Sequence, residues 1–311
     1  MQEQKKPFKI LSLDGGGAKG FYTLGVLKEI ELLVGKRLSK EFDLVFGTST
    51  GSIIGSLIAL GYSIDDITNL YREHVPTIMQ RKTKKGKSEA LASLADEIYK
   101  DKGFEDLEIP VGIVSTNWLL EKPMIFKYSV EQAHGRIASF VPGFGVSISD
   151  AVQASCSAYP FFEKKLVKTL KGDEILLIDG GYCANNPSLY AIAEATRAFK
   201  LSHDQLRVIS IGVGTYPTPS VPFFSYSNLV SKLVSVKLLQ KTLEINTQSM
   251  EQLRRILYND ISTVRINDSF SEPTMATDLF EYDIAKLGLL KLRGSESFAR
   301  YETELKACLD T

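Results

Sequence analysis

The sequence predicts an α/β protein: a three-layer sandwich in which helices cover both faces of a largely parallel central sheet, with a helical elaboration at the C-terminal end. Three observations carry this expectation. Through the first two thirds of the chain, short apolar runs alternate with segments whose apolar residues recur at helical spacing. Several of these runs stop at glycine-rich turns and pass directly into a helical pattern, as βαβ units do. Beyond about residue 215 the alternation ends and one long helical stripe takes over.

Each element follows from its own residues. Phe8–Leu13 is an apolar run that stops at Asp14 and three glycines, after which Phe21, Leu24, Leu27, Ile30 and Val34 mark a helix. Phe42–Phe46 is a second run, closed by Gly47. Ser52–Leu60 is apolar without alternation and ends at Gly61, a helix stop. Ser63 and Asp66 have capping-box spacing and open another helix. Ile109–Ser115 and Pro123–Tyr128 read as strands, and Ser149–Ser157 as a helix capped by Ser149 with Asp150 in its first turn. Glu174–Ile178 is a strand that stops at Asp179-Gly180-Gly181. Asn186 followed by Pro187 gives a cap and an N1 proline, so a helix runs to about Lys200. Leu206–Val213 is a further strand. Thr215–Pro222 holds three prolines and is a loop; from Ser225 to Tyr258, Leu229, Leu233, Val236, Leu239, Leu243 and Ile245 form a helical stripe. We read one domain, with a motif-bearing core over about 8–215 and the elaboration over about 216–311.

Composition bounds the function. A chain of 311 residues with 44% hydrophobic residues can bury a sizeable core. Its 37 Lys and Arg balance 37 Asp and Glu, which gives no bulk electrostatic reason to expect a nucleic-acid polymer as partner. Three cysteines, Cys156, Cys183 and Cys308, are too few and too scattered for a disulfide framework or a zinc site. MQEQKKPF has no apolar h-region and no small-residue cleavage site, so no signal peptide is expected. The most apolar stretch, Ile53–Leu60, is far shorter than the ~20 residues that span a bilayer. The expectation is a cytoplasmic protein whose membrane contact is peripheral.

Three motifs carry chemistry. Gly47-Thr48-Ser49-Thr50-Gly51 fits G-x-S-x-G between a strand and a helix, the context of a nucleophile elbow; an ordinary glycine-rich turn is the bland alternative. Asp14-Gly15-Gly16-Gly17-Ala18-Lys19-Gly20 leaves backbone N–H groups uncovered at a helix start, a nest for a phosphate or a developing oxyanion. The same loop satisfies G-x-G-x-x-G through Gly15, Gly17 and Gly20. A dinucleotide fold, however, needs an acidic residue at the end of its second strand, and the elbow stands there instead. Asp179-Gly180-Gly181 alone is most often a turn. Its weight comes from position, since Asp14, Ser49 and Asp179 each follow the carboxyl end of a predicted strand, the ligand-binding edge of open α/β sheets. Histidine is the usual base for serine. Of His74, His134 and His203, only His203 has a suitable chain order, and it precedes its strand, on the opposite edge.

The three blocks in this order resemble the patatin-like phospholipase family, whose pattern is D-G-G-G-x-[RK]-G, G-x-S-x-G and D-G-[GA]; Ala154–Pro160 resembles its small-residue block. The resemblance covers about residues 8–215. It implies a Ser49–Asp179 dyad without histidine, an oxyanion hole from the amides of Gly15, Gly16 and Gly17, and ester hydrolysis in phospholipids without metal or cofactor. Asp14, Lys19, Gly20, Gly47, Gly51, Gly180 and Gly181 then support the motifs, with Lys19 where many members carry arginine. The chain also resembles compact bacterial members that act as anti-phage effectors. That likeness implies a cyclic oligonucleotide, such as a cyclic dinucleotide, as activator, and a C-terminal third that closes the site or assembles a homo-oligomer until the ligand binds. Phe140–Phe144, Val221–Phe224 and the basic run Arg81–Lys87 are candidate contacts with a phospholipid membrane surface. Two other readings stay open: an esterase or thioesterase on soluble acyl substrates, and a non-catalytic nucleotide-binding module.

Overall fold

The computed structural model describes residues 6–217 and 227–310, the side chains of residues 227–233 excepted. Val221–Phe224 thus lies outside the described residues. In order, the elements are β1 (Phe8–Leu13), α1 (Gly20–Val34), β2 (Leu44–Thr48), α2 (Thr50–Ala59), α3 (Ile64–Gln80), α4 (Lys84–Tyr99), β3 (Val111–Asn117) and β4 (Lys122–Lys127). They continue with α5 (Ile148–Ser155), β5 (Lys165–Lys168), β6 (Glu174–Asp179), α6 (Gly181–Ala184), α7 (Ser188–Arg197), β7 (Leu206–Ile211), α8 (Ser227–Leu257), β8 (Ser262–Ile266) and α9 (Ile284–Leu309).

The three-layer sandwich is visible in how one strand divides its side chains. Along β1, Leu11 and Leu13 join a core with Phe21, Leu24, Ile54 and Leu57 on one face. Ile10 joins Leu44, Phe46, Val208, Ala191 and Ile192 on the other. Side chains of a strand alternate between faces, so helices on both sides are needed to cover such runs. Strands β3, β2, β1, β7 and β8 are parallel neighbours.

The remaining strands are antiparallel, and their register is the central feature of the fold. Strand β4 covers one edge of β3 from Gly112 to Asn117. The opposite edge of β3 is shared: β2 pairs with its first part, up to Thr48 opposite Val114, and β6 takes the rest, from Leu177 opposite Asn117 to Asp179 opposite Ser115. β2 and β6 therefore run toward each other along one edge and meet carboxyl end to carboxyl end. The expected reason for convergence, a common parallel edge, does not apply to Asp179, because β6 is antiparallel to β3. Register brings it to Ser49 instead.

Several boundaries differ from expectation for local reasons. The second strand begins at Leu44 because the Asp43 carboxylate itself accepts the Lys9 N–H at 2.8 Å. The α5 cap is Ser147, not Ser149: Ser147 Oγ accepts the Asp150 N–H, whereas Ser149 Oγ donates to Asp96. Lys84 to Lys87 of the basic run form the first turn of α4, capped by Thr83. The C-terminal third is not purely helical, since β8 extends the sheet beside β7 and α9 packs along α1. The Ser63 capping box forms as expected.

Candidate active site

Ser49 sits between β2 and α2 with φ 51° and ψ −122°, a strained conformation for a residue with a side chain. Two contacts explain the flanking glycines. A Cβ on Gly47 would stand 2.2 Å from the Gly51 carbonyl oxygen, and one on Gly51 would stand 2.3 Å from that of Leu13. The turn is held from outside: the Ser49 N–H donates to Ser155 Oγ at 2.8 Å, and Ser155 Oγ donates to the Val114 carbonyl. The Ser52 N–H donates to the Ser49 carbonyl, so Ser49 caps α2 with its side chain free for other work.

Asp179 ends β6 and is 2% exposed. Its backbone N–H donates to Ser157 O at 2.9 Å, and Thr116 Oγ1 donates to its carbonyl at 2.9 Å. The Gly181 N–H donates to Oδ1 at 2.7 Å, and the Ser49 hydroxyl lies beside the carboxylate. Burial pushes the carboxyl up to about 6, against the lowering effect of these two neighbours. Cys156 lies beside both residues. Burial raises its thiol first, and the Asp179 charge second, so it stays neutral and adds no charge to the site.

The glycine loop is fixed by residues that the motif did not reveal. Asp14 does not line the cavity with Ser49; it is clamped by Arg265 of β8 through two parallel hydrogen bonds, and Arg265 Nη1 also donates to Ser210 Oγ at 2.8 Å. The Gly15 N–H donates to Asn185 O at 3.0 Å, and the Asn185 amide returns a bond to Gly15 O. The Gly15 amide is thus engaged within the loop itself. The N–H groups of Gly16 and Gly17 have no partner among the described residues, and both glycines line the cavity that holds Ser49 and Asp179. Lys19 is 4% exposed and lines a separate small recess with Asp14 and Glu244. Arg265 lies 251 residues from its partner, in a segment read as helical, and carried no local signal.

From Ser49 an apolar cavity runs between α2, α3 and α4, past Ile53, Leu57, Val75, Ile78 and Leu94. Leu279 and Phe280 of the C-terminal segment also line it. Leu279 O accepts the Ala18 N–H at 3.0 Å, and the Phe280 ring packs on Phe161 with centroids 4.9 Å apart. Lys87 of the expected basic patch is buried here, donating to the carbonyls of Ile78 and Met79 with its ammonium 5.0 Å from the Phe280 ring. Phe144 packs edge-on against Phe126 on another face. No histidine lines the cavity: His203 bonds Asp260, His134 bonds Glu194 and Lys127, and His74 stands beside Glu73.

An elevated carboxyl has a stability consequence. Because the folded value lies above the ordinary 3.8, ionising Asp179 is harder in the folded state. Its stabilising share is complete below the ordinary value and is lost as pH rises through about 6. Asp179→Asn removes the cost. At pH 8 the variant should be more stable by on the order of 2–3 kcal/mol, melting several degrees higher, with the gap closing toward pH 4. A variant that melts at or below the unsubstituted protein at pH 8 contradicts the unpaired buried carboxylate.

The family model described as patatin-like phospholipase matches residues 11–192. A cUMP-AMP-activated phospholipase of Escherichia coli is 59% identical over 301 residues, spanning 97% of this chain and 93% of that protein. A cGAMP-activated phospholipase of Vibrio cholerae is 27% identical over 234 residues, spanning 67% of this chain and 63% of that one. Among solved structures, VipD from Legionella pneumophila shares the fold, with a TM-score of 0.50 at 15% identity, over 97% of this chain and 67% of that one. With three ordered motifs, a family model over more than half of its length and an extensive relative, this enzyme belongs to the patatin-like phospholipase family.

Proposed function

We propose that the chain is a serine acyl hydrolase of the phospholipase A type, acting on membrane phospholipids through Ser49 and Asp179 and switched on by a cyclic dinucleotide in anti-phage defence. The observation that carries the catalytic part is the meeting of β2 and β6, which sets a strained serine against a buried carboxylate at the head of an apolar cavity. With Oδ1 anchored by the Gly181 N–H, the other Asp179 oxygen takes the Ser49 hydroxyl proton as Oγ attacks the ester carbonyl. The Gly16 and Gly17 amides and the N-terminus of α2 stabilise the tetrahedral oxyanion. Collapse returns the proton to the departing lysolipid oxygen and leaves an acyl-Ser49. Asp179 then deprotonates water, which attacks the acyl carbon, and protonated Asp179 restores the serine hydroxyl. The cavity suits a long acyl chain, which favours phospholipid over the short substrates of a soluble esterase. Gating draws on the relatives, which are cUMP-AMP- and cGAMP-activated phospholipases, and on Leu279 and Phe280, which line the cavity from within the C-terminal 216–311.

A surface next to this edge supports peripheral membrane contact better than the segments expected from sequence. The turn between β3 and β4 exposes Trp118, Leu119 and Leu120 by 39%, 70% and 60%. Lys164 Nζ lies 3.8 Å above the Trp118 ring. Tryptophan beside leucines and a cation is an interfacial combination, and such a hairpin can enter the headgroup layer without any spanning helix.

Two measurements test the reading. On phospholipid vesicles, Ser49→Ala and Asp179→Asn should each lose on the order of 10³-fold or more, about 4 kcal/mol of transition-state stabilisation, and the double variant should be little worse than either. His74→Ala, His134→Ala and His203→Ala should stay within about tenfold; a folded His203→Ala that loses a thousandfold overturns the dyad. For the hairpin, Trp118→Ala combined with Leu120→Ser should lower the ratio of vesicle turnover to monomeric-ester turnover at least tenfold. Equal loss on both substrates rules out a membrane role for that turn.

A further inference from the structure

We propose that the groove between the β3–β4 ribbon and the turns following β4 is the binding site of the activating cyclic dinucleotide. The proposal rests on the gating reading above and adds its location. The groove encloses about 790 Å³, within the range of roughly 300–1,000 Å³ typical of small-molecule sites. Its apolar wall includes Met124 and Ile125 of β4, together with Phe140 and Phe144, which is 45% exposed.

Charge decides what fits. Lys122, Arg136 and Lys171 line the groove, are exposed, and make no ion pair among the described residues. A fourth cation, Lys127, is held at 2.7 Å by Glu194, with His134 on the same carboxylate oxygen. The one acid lining the groove, Asp173, accepts a hydrogen bond from Thr169. Unpaired cations around a floor with two phenyl rings match a compact dianion that carries two flat bases: the cations take the phosphodiesters and the rings offer stacking faces. The cavity at Ser49 is the poor alternative. Its lining is almost wholly apolar, and it contains no lysine or arginine.

The groove also touches the strand that matters. Ile175 of β6 lines it, four residues before Asp179, and Asn117 lines it where β3 passes from pairing with Leu177 to its turn. A ligand that grips β4 on one side and the β5–β6 hairpin on the other acts on the register that holds Asp179 opposite Ser115. Such a ligand activates when it binds the aligned arrangement more tightly than the resting one.

The test uses the full chain and cUMP-AMP as probe, reading its Kd and the concentration for half-maximal vesicle hydrolysis. Arg136→Glu and Lys171→Glu should each raise both at least tenfold. Phe140→Ala should do the same and Phe140→Trp should restore binding, which keeps the test decisive if a charge reversal unfolds; melting without ligand reports on folding. Lys306→Glu, a reversal on the far helix α9, should change neither value. If cUMP-AMP activates the unsubstituted protein but the groove variants keep its Kd, the site lies elsewhere and the location is wrong while gating stands. If no cyclic dinucleotide binds the unsubstituted protein, the gating reading itself fails, and the site with it.

Discussion

One edge of β3 serves two strands. β2 rises along it to Thr48 and β6 descends to Asp179, so the two strand ends face each other across a single residue step, Val114 to Ser115. Everything distinctive at the site depends on this meeting. Ser49 is lifted from the sheet by the elbow, and Asp179 is the last residue before the Gly180-Gly181 turn. Ser155 ties the two halves by accepting the Ser49 N–H through its hydroxyl and the Gly180 N–H through its carbonyl. A shift of β6 by one residue would swap its side chains between faces and turn the carboxylate away from the serine.

Two aspartates at the ends of strands show how environment assigns roles. Asp14 and Asp179 are equally buried, at 2% exposure. Asp14 is met by a guanidinium in a bidentate pair, which makes it a structural anchor for the glycine loop. Asp179 has no cation beside it, only the Gly181 amide and the Ser49 hydroxyl; burial pushes both carboxyls up to about 6, against Arg265 in one case and against these two groups in the other. What separates them is what they face: Asp14 is tied to a guanidinium away from the serine, whereas Asp179 lines the cavity with Ser49 and is placed to accept its proton near neutral pH.

Much of this was legible in the residues. Phe8–Leu13 is a strand at the expected bounds, the Ser63 capping box forms, and the elbow lies between a strand and a helix as its glycines require. The order of motifs also brought Ser49 and Asp179 together, though for a different reason than parallel strands. What escaped was non-local. β8 was hidden because Ser262–Ile266 is five residues inside a helical context, and Arg265 acquires its meaning from a partner far away in the chain. The basic run looked like a free patch, yet Lys87 turns inward to the Ile78 and Met79 carbonyls at the C-terminal end of α3. Gly15 could not be told from Gly16 and Gly17 by pattern, since only the fold brings Asn185 to it.

The central claim is that a buried, unpaired carboxylate at Asp179 activates Ser49. The most direct measurement is the rate at which a fluorophosphonate probe labels Ser49 as a function of pH. The account predicts a rate that rises with the ionised fraction of one group of apparent pKa about 6, and an Asp179→Asn protein in which the rise is gone and labelling is slowed by orders of magnitude. A profile that keeps its rise in Asp179→Asn, or that disappears instead on replacing a histidine, would contradict it.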